Sequence, residues 1–115
     1  MTEFVREIVS GPSDSGQSKI HIEIRFRDPF EQPDRFELES LLSAWYTVGS
    51  QGGYEGVLLH QFESPKIDAA EVRLAVVVGG DPRGALEVLG RCLDELEESG
   101  VYRVESATTR ESTYR

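Results

Sequence analysis

Two histidines and a glutamate are the first groups in this chain whose types could do chemistry. His21 and Glu23 alternate along one polar face, and His60 falls in a second strand-like run. Two imidazoles and a carboxylate suit zinc or iron. The chain has only these two histidines, so they read as exposed strand residues and no metal is expected. Cys92, the single cysteine, adjoins Leu93 on an apolar helical stripe and reads as a small buried hydrophobe. It also excludes an intramolecular disulfide and a Cys-based metal framework. No serine sits in Gly-x-Ser-x-Gly, and the abundance of Asp and Glu produces paired carboxylates by chance. Covalent catalysis needs a nucleophile, a base and an orienting group brought together. No motif here groups them, so the expectation leans to a non-catalytic protein with no cofactor.

The run "TVGSQGGYEGVLLH", Thr47 to His60, carries Gly52, Gly53 and Gly56 and looks like a phosphate cradle. Such cradles lead from a strand into a helix, whose N-terminal N–H groups meet the anion. The polarity here is the reverse, a helix ending and a strand beginning, so the run is expected to be a turn. Gln51 and Tyr54 are its candidates for a ligand or partner contact. "VVVGGDPRG" has the right polarity, strand to helix, but Asp81 at the cap opposes a phosphate and leaves Arg83 as the only helper.

The net charge of −9 is unevenly placed. Residues 1–27 hold four acids and four bases, residues 28–41 five acids and one base, and residues 81–100 six acids and two bases. The two acidic segments both read as helices. An acidic helical surface repels a phosphate backbone, so no direct nucleic-acid binding is expected. It suits a basic protein partner, or solubility alone. Asp94, Glu95, Glu97 and Glu98 are the candidate partner-binding residues, since acids at a helix C-terminus oppose its dipole. No apolar run approaches the roughly 20 residues that span a bilayer, and "MTEFVREIVS" lacks a secretory pattern, which makes a cytoplasmic location the default.

The elements that must position these groups follow from periodicity. "KIHIEIRFR" alternates without fault: Ile20, Ile22, Ile24 and Phe26 on one face, His21, Glu23, Arg25 and Arg27 on the other. Phe4, Val5, Ile8 and Val9 suggest a short strand hairpinned onto it across the loop Gly11–Ser18. A first helix is expected from Arg35 to Val48, with Asp34 as N-cap, Glu37 completing a capping box, and Gly49 ending it. Its stripe, Leu38, Leu41, Leu42 and Trp45, places Trp45 against Ile22, Ile24, Leu74 and Val76. "GVLLHQFES" and "AEVRLAVVVGG" read as two strands separated by "PKIDA". A second helix has Asp81 as N-cap, Pro82 in its first turn, Leu86, Leu89, Leu93 and Leu96 as its stripe, and Gly100 as its stop. "VYRVESATT" closes as a last strand.

The order from Lys19 is strand–helix–strand–strand–helix–strand, the α+β ferredoxin-like two-layer sandwich, with both helices on one face of an antiparallel sheet. One domain spans 1–115: an extension to residue 18, a core over 19–109 and a polar tail from 110. RNA-recognition domains share this topology but need aromatics on the central strands, and here Phe26 faces inward. Apolar runs in "VLLH" and "LAVVV" put some apolar groups on the uncovered sheet face, which suggests sheet-to-sheet self-association as a homodimer. The expected function is a protein-interaction domain that self-associates or masks a basic partner. The alternative is a small-molecule-binding domain or enzyme with a pocket on the open sheet face, lined by His21, Glu23, Arg25 and Arg73.

Overall fold

A computed structural model describes residues 5–8, 17–100 and 102–113. The chain runs β1 (Val5–Ile8), β2 (Gln17–Phe26), α1 (Gln32–Ser50), β3 (Val57–Asp68), β4 (Glu71–Gly80), α2 (Arg83–Glu98) and β5 (Val104–Thr113). The strands form one sheet in the order β1-β5-β2-β4-β3. From β2 onward this is the ferredoxin-like sandwich that the alternation and helical stripes predict, with β2 central between β4 and β5 and antiparallel to both.

The N-terminal strand departs from expectation. β1 does not hairpin onto β2; it pairs in parallel with β5, Val5 opposite Thr108. Both edges of β2 are occupied, so an added strand must take an outer edge of the sheet, and β1 takes that of β5. Phe4, Val9 and the expected loop up to residue 16 lie outside the described residues, and Gln17 and Ser18 already belong to β2. At the other end, β5 continues to Thr113, through residues expected as a polar tail.

The core fills the space between sheet and helices. Ile20, Ile22, Ile24 and Phe26 of β2 and Val72, Leu74, Val76 and Val78 of β4 are buried against Leu38, Leu42 and Trp45 of α1 and Leu89, Leu93 and Leu96 of α2. Trp45 is 3% exposed. Its indole N–H donates to the Ala85 carbonyl of α2 at 2.9 Å, so one side chain joins both helices to the sheet.

Helix ends show why glycine is hard to read. α1 begins at Gln32, where the Glu31 carbonyl accepts from the Arg35 N–H at 3.2 Å, so Asp34 lies in the first turn and is not the N-cap. Gly49 does not end α1 either. It sits buried inside the helix, where a Cβ would collide with Leu59 of β3, so its small size permits close packing. The left-handed residue is Gly52, at φ +78°. In α2 the cap position falls on Pro82, one residue later than expected, while the Asp81 carboxylate accepts from the Arg83 N–H at 3.0 Å. Gly100, at φ +80°, stops α2 as predicted, its N–H donating to the Glu97 carbonyl at 2.9 Å.

β3 also differs: "PKID", expected as a linker, is strand, and the turn to β4 is Ala69–Ala70. β3 accommodates it by two register shifts, between Leu59 and Gln61 and between Glu63 and Lys66. The second contains Pro65, which has no N–H and is tolerated at a bulge of an edge strand. Near the first, the His60 carbonyl accepts from the Tyr46 hydroxyl of α1 at 2.9 Å, and the Tyr46 ring stacks on Phe62 at 4.8 Å.

Candidate functional site

The uncovered face of the sheet is a grid fixed by strand register. One row runs Arg110 (β5), His21 (β2), Ala75 (β4), Glu63 (β3); the next runs Thr108, Glu23, Arg73, Lys66. Beyond them lie Ser106, Arg25, Glu71 and Asp68 on one side, and Lys19, Val77 and Gln61 on the other. Ala75 is the shortest side chain in the two central rows. It is 3% exposed, so the long polar chains around it form walls and its methyl forms a floor. The result is a groove of about 520 Å³, whose lining includes His21, Glu23, Glu63, Lys66, Arg73 and Arg110. That volume lies within the usual range for small-molecule sites.

Three of the four residues expected on this face, His21, Glu23 and Arg73, come together in the groove. Arg25 lies one row outside it, its guanidinium 3.1 Å from Glu23 and 3.6 Å from Glu71. Arg73 also pairs with Glu71. Lys19 holds Glu63 at 2.6 Å, and that hydrogen bond keeps the Glu63 carboxyl below the usual carboxylate range. Periodicity did not mark Glu63, Lys66, Thr108 and Arg110 as lining residues. The β3 bulges shift its alternation, and Arg110 read as tail. The small Ala75 between Arg73 and Val77 on one face of β4 was the available signal.

His60 does not join His21. Its ring lies where a Cβ on Gly79 would be, whereas His21 is opposite Ala75, four residues back along β4 and so about 13 Å away. Among the described residues no group of three or more His, Cys, Asp or Glu could hold a metal ion.

Burial first, then the positive charges of Arg110 and Lys19, push the His21 imidazole below its ordinary value of 6.5, with Glu63 opposing. The groups facing it are Arg110 from β5, Lys19 and Glu23 from β2, Arg73 from β4 and Glu63 from β3. The folded state therefore disfavours protonated His21. Its contribution to stability is complete above the unfolded value near 6.5 and is lost as pH falls through the lower folded value. Acidifying from about pH 7.5 to about pH 5.5 should lower the urea midpoint more for the wild type than for His21→Gln. Equal losses in the two proteins would remove His21 from the titration.

Of the other candidates, Tyr54 and Glu97 have structural duties. The Tyr54 hydroxyl donates to the Trp45 carbonyl at 2.8 Å and is half-buried, which raises its pKa; Gln51 is exposed at the turn. Glu97 accepts from the Val104 N–H at 2.8 Å, tying α2 to the start of β5. Asp94 is half-buried, and Glu95 and Glu98 are exposed. Burial and Glu95 raise the half-buried Cys92 thiol above its ordinary value, against Arg91. No helix among the described residues is long and apolar enough to cross a membrane.

The class that fold and groove define is a ferredoxin-like α+β domain with a polar depression on its open sheet face. No family model matches the chain, and no curated protein and no solved structure matches it.

Proposed function

We propose that this chain is a binding module for a small polar ligand, working through the groove on the open sheet face. The observation that carries the reading is the row register that sets Ala75 as a floor among charged walls. Small-molecule sites are concave and orient their ligands through convergent polar groups, and this depression offers such groups on a rigid sheet. A polar fragment set, followed through backbone amide resonances, tests it. Fragments should move the amides of His21, Ala75 and Thr108 and leave Glu95 and Glu98 unchanged. Ala75→Leu, which fills the floor, should abolish the effect with the circular dichroism spectrum intact. Hits gathered at α2, or shifts indifferent to Ala75→Leu, would remove the groove as the working site.

A second reading, docking of a basic protein partner, is favoured by the exposed Glu95 and Glu98 and by a last turn of α2 with no basic residue. The engagement of Glu97 with Val104 reduces the acids free to serve it. Self-association through the open face would enclose the same groove between two copies.

A further inference from the structure

We propose that the groove takes a small dicarboxylate, one carboxylate held by Arg110 and the other by Lys66, with the connecting carbons over the methyl of Ala75. This rests on the groove being the working site.

Charge distribution selects an anion for this face. The grid rows carry five bases (Lys19, Arg25, Lys66, Arg73 and Arg110) and four acids, whereas α1 and α2 together carry eight acids and three bases. An anion is repelled by the helical layer and admitted by the sheet. The pairings within the grid then single out two cations. Glu63 is held by Lys19, Glu23 by Arg25, and Arg73 by Glu71. Among the described residues Lys66 and Arg110 make no ion pair, and both line the groove.

Their placement sets the ligand's shape. Arg110 is on β5 and Lys66 on β3, with β2 and β4 between them and Lys66 one row further along, so their backbones are about 16 Å apart. Ala75 lies between them, and both side chains are long enough to lean inward over it. A single compact anion meets one cation or the other. Two carboxylates joined by a short chain meet both, and the apolar floor matches the carbons between them. Charge-assisted contacts at the two ends supply affinity, and their spacing supplies selectivity.

The experiment titrates the protein with malonate, succinate, glutarate and adipate at low ionic strength, reading amide resonances, with acetate and putrescine as controls. At least one dicarboxylate should give saturable shifts at His21, Ala75 and Thr108. Lys66→Gln and Arg110→Gln, both exposed positions, should each weaken it about five- to tenfold. Ala75→Leu should abolish it, and the milder Ala75→Val should reduce it if the leucine variant fails to fold. Binding unchanged in Lys66→Gln and Arg110→Gln overturns the proposal, as does acetate binding as tightly as the best dicarboxylate. Putrescine or non-acidic fragments occupying the groove, while no dicarboxylate does, overturns the ligand class and leaves the groove as the site. No occupant of any kind overturns both.

Discussion

Trp45→Ala should lower the unfolding free energy by about 3–5 kcal/mol, the largest effect expected from a single side-chain truncation in this domain. The indole is 3% exposed, and its N–H is bonded to the Ala85 carbonyl at 2.9 Å. Truncation therefore leaves a cavity between layers and also removes the bond that joins α1 to α2. Trp45→Phe separates the two losses. It keeps most of the apolar volume and forfeits the hydrogen bond, so it should cost about 1–2 kcal/mol. Urea denaturation of the three proteins is the measurement. Equal midpoints for wild type and Trp45→Ala would contradict the helix register and the packing drawn from it.

Gly80→Ala should cost about 3 kcal/mol or more, from backbone alone. Gly80 stands at φ +91°, and a Cβ there would collide with the Gly56 carbonyl oxygen. That oxygen accepts from the Asp81 N–H at 3.0 Å, and Gly80 pairs with Val57 where β3 begins. A methyl group must separate β3 from β4 at the point where α2 is launched. Gly56→Ala is the internal control: φ is +76° there, yet a Cβ meets nothing within 4 Å. It should cost only about 1–2 kcal/mol, the strain of the left-handed backbone without the collision. If the two variants lose the same stability, the close approach of the strands contributes nothing.

Much of this architecture is legible in the residues because period is a local property. The alternation from Ile20 to Phe26 and the stripes containing Trp45 and Leu93 each report one buried face, and those faces are buried as read. Glycine is less legible, because a left-handed turn and a close contact both require it; Gly49, expected as the helix stop, makes the close contact with Leu59, and the left-handed conformation falls to Gly52. The partner of β1 is not local information at all, since it depends on which edge of the finished sheet is vacant. The groove falls between these cases. His21, Glu23 and Arg73 are visible as polar-face residues, but their row neighbours depend on register across several strands. Two bulges in β3 offset that register where Glu63 and Lys66 enter the site.

Those bulges have a consequence for how copies of this chain meet. An edge strand of this length offers a line of open backbone groups along which another chain could extend the sheet without limit, the route to fibrils. In β3 the line is interrupted at His60 and again at Ser64–Pro65, where an extra residue spoils the spacing and the proline has no proton to give. Lys66 follows immediately with a charge. A strand from a neighbouring molecule laid along this border would find its ladder broken twice. Crowded copies of the domain are thereby steered away from growing edge to edge.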